Sequence, residues 1–443
     1  MEKNFNRTAY IYTLGCKVNQ YESEAIAEHL EANGITVLPL PDFCDAYIIN
    51  TCTVTAESDR KARQFIRRAI SKNPNAYIIV TGCLAQSAPD DIAKIDGVDF
   101  ICGNGEKLIA AKRLIEYFSS NAQKSAPEIC VNDINNAPFE EMSITKFDRT
   151  RAYVKIEDGC ENRCSYCIIP SARGRIRSKS PQSIISEVEA LVQNGCKEIV
   201  LTGIETASYG KDLGNISLAD ILCRVDKIEG LERIRLGSLD PSLITPDFVN
   251  KISKLKTLAP HFHLSLQSGS SRVLALMRRK YNADMAMRAI ELLRANIPHA
   301  CFTTDVIVGF PQETTEDFEA TADFVRKAQF LTVHIFPYSP RKGTEAAKMK
   351  GQIDGEEKSR RLHALEKIAN ESTSAVLNTE FASAPIKKVL FETFDGKLAY
   401  GHTDNFLEVA VRSDKDLKSQ MLTVKLTDIR DNVCHGEIID NGI

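Results

Sequence analysis

Three cysteines lie within eight residues of one another in the middle of the chain, a spacing suited to binding a metal cluster. Cys160, Cys164 and Cys167 closely follow a short apolar run, so one loop would bring all three thiolates around one small group. A structural zinc site uses four protein ligands, whereas three thiolates on a four-iron cluster leave one iron open to a substrate. The alternatives are a zinc ion completed by a distant fourth ligand and three unrelated thiols.

Three further cysteines, far apart in sequence, each follow an apolar run directly or within two residues. Cys16, Cys52 and Cys83 are separated by 36 and 31 residues, and each interval is long enough for one strand and one helix. Because parallel strands of an open α/β sheet end at one edge, we expect these thiols to converge there. Gly15 and Gly82 would let the backbone turn closely around a cluster. The sequence therefore predicts a second three-thiolate site, with chance placement as the alternative.

The overall composition is that of an ordinary globular protein with many thiols. Of the 443 residues, 43% are hydrophobic and 26% are charged, which excludes a disordered or low-complexity chain. Thirteen cysteines in a chain without a signal-peptide pattern favour metal or redox chemistry over a disulfide framework. Apolar runs stay short of the roughly 18 residues of a membrane helix, so we expect no membrane span and a cytoplasmic location with reduced thiols.

The elements that would position these thiols group into three regions, with predicted boundaries at 7–119, 146–375 and 378–443. In the first region, apolar runs alternate with helix-like stretches, which predicts a doubly wound parallel sheet. Its predicted elements are Ala9–Leu14, Glu22–Ala32, Ala46–Ile49, Ser58–Ser71, Ala76–Val80 and Val98–Ile101. A linker rich in Asn, Ser and Pro is predicted from about Ser119 to Lys146.

The second region repeats an apolar run and a helix-length amphipathic segment, which predicts a partial (β/α)6 barrel with its functional groups at the carboxyl ends of the strands. The six predicted strands are Ala152–Ile156, Glu198–Leu201, Arg233–Leu236, Phe262–Leu266, Thr304–Val308 and Thr332–Phe336. In the third region, short alternating runs and glycine turns predict a small antiparallel β-barrel. Its predicted strands are Pro385–Thr393, Leu398–His402, Phe406–Val411 and Met421–Leu426.

The cysteine spacing after the first strand of a β/α barrel resembles the radical S-adenosylmethionine (SAM) superfamily. The three cysteines before the barrel and the small barrel after it are similar to its methylthiotransferase branch, which ends in a TRAM domain, over essentially the whole chain. The run from Thr13 to Ser23, Thr-Leu-Gly-Cys-Lys-Val-Asn-Gln-Tyr-Glu-Ser, resembles members that modify threonylcarbamoyladenosine beside the tRNA anticodon. Further matching runs are Arg235–Pro241, His263–Ser270, Thr304–Pro311 and His334–Thr344.

This resemblance implies a tRNA methylthiotransferase that adds a methylthio group to C2 of N6-threonylcarbamoyladenosine 37. SAM would serve as methyl donor and as the source of the radical that activates the C–H bond. Two 4Fe-4S clusters are implied, one on Cys160, Cys164 and Cys167 and the other on Cys16, Cys52 and Cys83. The alternatives are a methylthiotransferase for isopentenyladenosine tRNA or a ribosomal protein, and a non-catalytic, metal-stabilised RNA-binding or redox-sensing protein. The sequence does not identify the electron donor or the sulfur source.

Polar residues that follow successive barrel strands are candidates for binding SAM. Glu205 follows the second strand, where the superfamily often holds the SAM amino group with an acidic residue. Ser238 and Gln267 follow the third and fourth strands and could bond the ribose or the carboxylate. An exposed loop carboxylate and satisfied turn residues are the alternatives. Asp305 lies at the start of the next apolar run and is interpreted as structural.

Two residues depart from the family pattern. Gln312 stands where the family usually has glycine, and we expect only a local change in the turn. Cys102 ends the fourth N-terminal strand, where the family commonly has an aliphatic residue. It could approach the second cluster, but the sequence favours a buried small apolar side chain. The remaining cysteines carry no motif: Cys44, Cys130, Cys196, Cys223, Cys301 and Cys434.

RNA contact must rely on local patches, because the formal net charge is −3. Two basic runs are candidates for binding phosphates, although a solvated charged face explains them equally well. They comprise Arg173, Arg175, Arg177 and Lys179, and Arg60, Lys61, Arg63, Arg67 and Arg68. Phe406 in the third region could stack on a base or fill a barrel.

Overall fold

The computed structural model describes residues 7–120, 123–124, 126–147 and 149–439. In these ranges, a parallel sheet, a ring of β/α units and a small closed barrel follow one another along the chain. No helix in them combines the length and the apolar character that a bilayer crossing requires.

The N-terminal part is a six-stranded parallel sheet with helices on both faces. The strands are ordered β2-β1-β3-β4-β5-β6, and separate apolar cores lie on the two faces. Its elements are β1 Arg7–Thr13, α1 Lys17–Glu31, β2 Ile35–Val37, β3 Ala46–Thr51, α2 Ala56–Lys72, β4 Tyr77–Gly82, α3 Cys83–Ser87, α4 Pro89–Ala93, β5 Phe100–Cys102, α5 Ile109–Ser120 and β6 Glu128–Cys130. The predicted doubly wound parallel sheet is confirmed.

The predicted linker is in part a component of this sheet. Strand β6 lies inside it and pairs in parallel with β5, so that Cys102 is opposite Cys130. Farther along, the Glu140 carboxylate accepts hydrogen bonds of 2.6 and 2.8 Å from the backbone N–H groups of Lys107 and Leu108. A three-residue strand is too short to show an alternating pattern, which is why the sequence did not reveal it.

The central part contains six parallel strands in chain order, paired as β7-β10-β11 and β12-β13-β14. Two isolated parallel bridges, Ile234 with Leu258 and Leu239 with Leu264, link the two halves. Its elements are β7 Ala152–Lys155, β8 Glu157–Asp158, α6 Ile169–Arg173, β9 Arg177–Ser178, α7 Pro181–Gln193, β10 Glu198–Thr202, α8 Leu218–Val225, β11 Arg233–Leu236, α9 Pro246–Ile252, β12 His261–Gln267, α10 Ser271–Leu276, α11 Ala283–Asn296, β13 Cys301–Val308, α12 Thr315–Ala328, β14 Thr332–Pro337 and α13 Gly355–Ser383. The predicted partial (β/α)6 barrel is confirmed.

The C-terminal part is a closed five-stranded barrel in the order β15-β16-β17-β19-β18. Its strands are β15 Ile386–Phe394, β16 Leu398–Thr403, β17 Glu408–Arg412, β18 Met421–Arg430 and β19 Val433–Ile438. All pairs are antiparallel except β17 with β19. The predicted small barrel is therefore confirmed, with one parallel pair that the sequence pattern did not indicate.

Phe406 anchors this small barrel against the central strands. Its ring stacks between the imidazoles of His261 and His402, with ring centroids 4.5 Å away on each side. The Arg235 guanidinium lies 4.8 Å from the ring centroid and donates hydrogen bonds of 2.6 and 2.8 Å to the backbone carbonyls of Thr403 and Asp404. Stacking of Phe406 on an RNA base is therefore wrong, because both of its faces already contact protein.

Candidate active site

The loop that carries the central cysteines is held open by a short antiparallel ribbon. Strands β8 and β9 pair before and after it, and the backbone N–H of Cys160 donates to the Gly174 carbonyl at 3.0 Å. The Cys160 sulfur accepts from the backbone N–H of Asn162 at 3.5 Å, and the Cys167 sulfur from that of Ile169 at 3.4 Å. Inward-pointing N–H groups of this kind stabilise thiolates.

Burial raises the pKa of the Cys160 and Cys167 thiols to about 12. Both thiols are therefore protonated at neutral pH in the protein without metal, and metal binding must displace the protons. An electropositive group favours that exchange: Arg279 Nη1 donates to the Cys164 sulfur at 3.2 Å. A bound metal centre would supply the positive charge that stabilises thiolates in this partly buried loop.

An open cavity of about 950 Å³ lies over this loop. All three cysteines line it, together with three exposed arginines: Arg163, Arg175 and Arg278. A cavity of this size admits a ligand as large as a nucleoside. Three carboxylates, those of Asp133, Glu161 and Glu345, line it as well, so its rim carries charges of both signs.

The other three cysteines lie at one edge of the N-terminal sheet. Cys16 follows β1 and precedes α1, Cys52 follows β3, and Cys83 is the first residue of α3 after β4. Electrostatic interactions link the Cys83 thiol to those of Cys16 and Cys52, and the latter two to each other. Cys16 is exposed, whereas Cys52 and Cys83 are buried. The fold thus brings the three distant thiols together.

Two glycines are required for this close approach. Gly15 has a φ of +103°, and a Cβ atom on it would lie 2.8 Å from Cys52 Cβ and 2.9 Å from its sulfur. Gly82 has a φ of +99°, and a Cβ atom would lie 2.3 Å from the Thr51 carbonyl oxygen. Any larger residue would push the thiol-bearing loops apart.

Neither group of cysteines has the spacing of a single-ion site. Among the described residues, the one set of three His, Cys, Asp or Glu side chains whose ligand atoms all lie within 4.8 Å of one another contains no cysteine. Sulfur atoms around one tetrahedral zinc ion are closer than this, at roughly 3.8 Å for Zn–S bonds of about 2.3 Å. Among the described residues, neither cysteine group therefore meets the spacing of a single zinc ion.

The two groups of thiols face each other, with a buried ion-pair network beside them. Cys167 interacts electrostatically with Cys83, and Arg173 interacts with Cys83 as well. Arg173 Nη1 lies 2.6 Å from Glu22 Oε1 of helix α1 and 3.1 Å from Asp158 Oδ2 of β8. This arginine therefore ties the N-terminal sheet to the central cysteine loop.

Glu22 is the hub of the network. Its carboxylate lies 2.7 Å from Lys107 Nζ and 2.8 Å from Lys155 Nζ, in addition to Arg173, and all four side chains are buried. Burial alone would raise the pKa of Glu22, but the charges of Arg173, Lys107 and Lys155 outweigh it and hold the pKa well below its usual value. Glu22 is therefore ionised at neutral pH.

Replacement of Glu22 by glutamine is expected to lower the free energy of unfolding by about 3–5 kcal/mol, because it leaves three buried cations without their shared anion. The control is Glu31→Gln on the same helix, where an exposed pair with Lys146 spans 3.6 Å and the expected loss is below about 1 kcal/mol. Denaturant titration followed by circular dichroism measures both. Equal destabilisation by the two variants would contradict the assigned role of Glu22.

The three predicted SAM-binding residues lie around the top of the central strands. Glu205 is half-buried, accepts a hydrogen bond from Asn162 Nδ2 at 2.8 Å, and has its pKa raised to about 7, chiefly by burial. Ser238 is exposed, and Gln267, at the end of β12, has a φ of +66°. All three lie at carboxyl ends of strands, but the cavity over the cysteine loop is lined by other residues. Their roles stay predictions.

Three further polar residues at this site were missed in the sequence. Arg279 donates to Asp240 Oδ2 at 2.8 Å as well as to Cys164. Glu157 is buried, accepts from the Glu205 backbone N–H at 2.8 Å, and its Oε1 has no hydrogen-bond partner. The acidic pair just before the cysteine loop was an available signal for Glu157, whereas Arg279 is 115 residues away from Cys164. An unpaired buried carboxylate oxygen and exposed Ser238 are groups that a SAM molecule would satisfy.

The predicted phosphate-binding run beyond the cysteine loop is mostly wrong. Arg173, Arg177 and Lys179 are buried, and Lys179 Nζ lies 2.5 Å from Glu187 Oε2. Only Arg175 of that run is exposed. Acidic partners from other elements, Glu22, Asp158 and Glu187, neutralise the buried members. On α2, Arg60, Lys61, Arg67 and Arg68 are exposed, so RNA contact by that helix stays a prediction.

The structure also shows the environments of Cys102, Gln312 and Asp305, three residues that the sequence analysis singled out. Cys102 is fully buried in the apolar core of the sheet, and burial raises its pKa to about 12. Gln312 adopts a φ of +67°, the left-handed region that glycine enters without strain. Asp305 is not at the start of its strand but in the interior of β13, half-buried, with Oδ2 3.3 Å from His263 Nε2.

Comparisons with known proteins agree with this architecture. Residues 154–325 match the Radical SAM superfamily, and residues 8–103 match the Uncharacterized protein family UPF0004. The chain is 39% identical over 426 residues to threonylcarbamoyladenosine tRNA methylthiotransferase MtaB of Bacillus subtilis (strain 168), covering 95% of this chain and 93% of that one. It is 36% identical to tRNA-2-methylthio-N(6)-dimethylallyladenosine synthase of Moorella thermoacetica, covering 98% and 99%.

A solved structure shows the same fold at lower similarity. The radical S-adenosylmethionine methyltransferase TsrM from Kitasatospora setae matches with a TM-score of 0.56 and 16% identity, covering 77% of each chain. At this identity the likeness extends to the fold alone. Because the two matched regions carry the two facing groups of cysteines and the relatives are similar over nearly their full length, the chain belongs to the radical SAM methylthiotransferase family, whose members use SAM and a 4Fe-4S cluster.

Proposed function

We propose that this protein is a tRNA methylthiotransferase that attaches a methylthio group to C2 of N6-threonylcarbamoyladenosine 37. The observation that carries the proposal is the pair of facing three-thiol groups, one in the central loop and one at the sheet edge. Two neighbouring sites for iron–sulfur clusters suit a reaction that needs both a radical and a sulfur donor. The similarity to the Bacillus subtilis enzyme supports the substrate.

Two 4Fe-4S clusters fit the donor sets. Cys160, Cys164 and Cys167 would hold the first, which supplies the electron that cleaves SAM to methionine and a 5′-deoxyadenosyl radical. The second group, Cys16, Cys52 and Cys83, would hold the cluster that carries the sulfur to be methylated by another SAM molecule. The structure's own contribution is to hold the two groups together through Arg173 and the Glu22 network.

Side chains around the central loop provide the charges that SAM requires. Glu205, with a pKa near 7, holds a negative charge above that pH and would pair with the SAM ammonium group. Arg279 donates to a cysteine sulfur and to Asp240, and so keeps a positive charge beside the thiolates. Glu157 lies behind Glu205 and positions it through the backbone. These groups bind and orient; the reaction itself uses no acid–base pair.

Exposed arginines on the rim of the cavity are candidates for contact with tRNA. Arg163, Arg175 and Arg278 are exposed around the cavity over the cysteine loop. The nearest carboxylate to Arg278 is that of Glu345 at 3.9 Å, a weak exposed pair. Contacts from such residues to phosphates would give an affinity that falls as salt concentration rises. This patch, and not the buried run after the loop, is our candidate RNA surface. A tRNA substrate supports our proposal of a cytoplasmic location.

A second substrate, dimethylallyladenosine in tRNA, is favoured by the similarity to the Moorella thermoacetica enzyme. Both substrates share the adenine ring and differ in the group on N6. The chemistry at the two cysteine groups is the same for both, so the discrimination lies in the pocket that receives that group.

The deciding experiment is mass spectrometry of nucleosides from tRNA of cells that lack this protein. We expect loss of the methylthio form of threonylcarbamoyladenosine with the parent nucleoside retained, and restoration by a plasmid copy of the gene. The methylthio form of dimethylallyladenosine is the internal control and should persist. Loss of that form instead would replace our substrate with the second one, and no change in either would overturn the proposed function.

A further inference from the structure

Hydrogen bonds between the N-terminal sheet and the central part of the chain lie beside the thiols at the sheet edge. One is the bond from Arg173 to helix α1, the helix that follows Cys16 directly. A second is made by Asn104, whose Nδ2 donates to the Cys83 sulfur at 3.5 Å and to the Ala172 carbonyl of α6 at 2.8 Å. Two of the three thiols are thus attached to the region of the central cysteine loop.

Arg341 makes the corresponding contact at the third thiol, that of Cys52. It lies in the loop between β14 and α13, and its Nη2 donates to Thr53 Oγ1 at 2.5 Å and to Asp59 Oδ2 at 2.8 Å. Thr53 is buried and follows Cys52 directly, and Asp59 lies near the start of α2. A guanidinium that binds a hydroxyl and a carboxylate at the same time is held in one orientation.

The loop that carries Arg341 also contacts the central cysteine loop. The backbone N–H of Ala346 donates to the Ser165 carbonyl at 2.8 Å, and Ser165 lies between two of the central cysteines. The Thr344 hydroxyl and backbone N–H donate to the Arg341 carbonyl at 2.8 and 3.1 Å, which closes a turn between the two contacts. Residues 341–346, the bridging loop, therefore join the two groups of thiols through one short piece of chain.

A third attachment fixes an orientation that two attachments leave free. Two points define a line about which the sheet edge can rotate, and a third point away from that line prevents the rotation. The side chains of Arg341 and Asp59 are 12% and 24% exposed, whereas those of Arg173 and Glu22 are fully buried. Loss of the Arg341 contact should therefore cost little stability and release mainly the end of the sheet edge at Cys52.

We propose that Arg341 is a positioning residue for methylthio transfer, an inference that rests on the function proposed above. In that function the radical arises at the central loop and the methylthio group comes from the N-terminal thiols, so one bound adenosine must be within reach of both. Misplacement of reacting groups by about 1 Å can slow a step by roughly 100-fold. Arg341 prevents such misplacement at Cys52, beside the cavity that residues 343–345 of the bridging loop line.

The test measures 5′-deoxyadenosine and methylthio product from the same reaction. Anaerobically prepared holoenzyme acts on an anticodon stem-loop RNA that contains threonylcarbamoyladenosine. We expect Arg341→Gln to cleave SAM at close to the wild-type rate but to form about 10- to 100-fold less methylthio product, so that the ratio of the two products rises by this factor. Arg341→Lys keeps the charge without the forked geometry and should raise the ratio less.

Two further variants control for charge and for the pairing itself. Lys342→Gln removes a positive charge from an exposed position on the same loop and should keep the wild-type ratio. Asp59→Asn removes the carboxylate partner of Arg341, and the double variant should show no higher ratio than Arg341→Gln alone, because the two side chains act as a pair. Effects that multiply in the double variant would overturn the inference.

An unchanged product ratio in Arg341→Gln would also overturn the inference. So would an equal fall of both products, which a partly unfolded protein gives, and so would loss of about four irons per chain, which would assign Arg341 to cluster assembly. A rise only in the KM for the RNA would assign it to RNA binding instead. Wild-type holoenzyme that cleaves SAM but forms no methylthio product on this RNA would overturn the proposed function and the inference with it, whereas the preceding outcomes overturn the inference alone.

Discussion

Replacement of Cys160, Cys164 and Cys167 together by alanine is expected to abolish reductive cleavage of SAM while about four of about eight irons per chain remain. The three thiols are the whole donor set of the central loop, and Arg279 cannot replace a thiolate ligand. Without them, no site next to Glu205 and Ser238 can deliver an electron to SAM. The readouts are iron and acid-labile sulfide per chain, and 5′-deoxyadenosine formed with a chemical reductant.

The matched control for this variant replaces three cysteines of the same region that carry no motif, Cys196, Cys223 and Cys301. It should keep both clusters and form 5′-deoxyadenosine at close to the wild-type rate, since these thiols lie away from the loop. If the variant without Cys160, Cys164 and Cys167 still cleaved SAM, the assignment of the radical site would be wrong. One bound zinc and no labile sulfide in wild-type protein would contradict the enzyme itself and favour a metal-stabilised binding protein.

Replacement of Cys16, Cys52 and Cys83 by alanine is expected to stop methylthio transfer and to leave SAM cleavage in place. SAM cleavage at the central loop should continue, because Cys160, Cys164 and Cys167 remain, whereas methylthio transfer should fall below detection. The physical reason is that the sulfur-carrying cluster has no other ligands at this edge: the buried Cys102 lies in the apolar core. Nucleoside mass spectrometry of the RNA and 5′-deoxyadenosine measurement on the same reaction separate the two steps.

The control on the same sheet replaces Cys44, Cys102 and Cys130, which should leave the transfer reaction in place. Loss of SAM cleavage in the Cys16, Cys52 and Cys83 variant, with its central cluster intact by iron analysis, would show that the two sites do not act separately. Continued methylthio transfer would show that the N-terminal thiols do not hold the sulfur-carrying cluster. Both results are accessible because Arg173 and the Glu22 network hold the two halves together without any cluster.

The arrangement explains why so many charges are buried beside the reaction site. Glu22, Asp158 and their cations satisfy one another in the contact between the sheet and the central strands. Such a network adds little net stability compared with apolar packing, but it is strongly directional. It therefore sets the relative position of the two cysteine groups, both of which the proposed reaction uses.

The sequence by itself determined the fold class and both cysteine groups. The central group can be predicted from the sequence because one loop carries all three cysteines, so that their proximity depends only on local spacing. The N-terminal group can be predicted because Cys16, Cys52 and Cys83 each occupy the same place in a repeating unit of one strand and one helix. The carboxyl ends of parallel strands lie at a common edge of the sheet, so the three thiols meet there. Both predictions use the periodic pattern of apolar residues and the spacing of the cysteines, which can be read directly from the sequence.

Only the tertiary structure decided which charged and aromatic side chains are free to act. Arg173 and Arg177 resemble a solvated basic run, yet acidic residues from distant elements bury and neutralise them. Phe406 resembles a base-stacking residue, yet two histidine rings cover it. Such burial and pairing depend on contacts between different elements of the fold, such as Arg173 with Glu22, 151 positions away, and no local pattern records them.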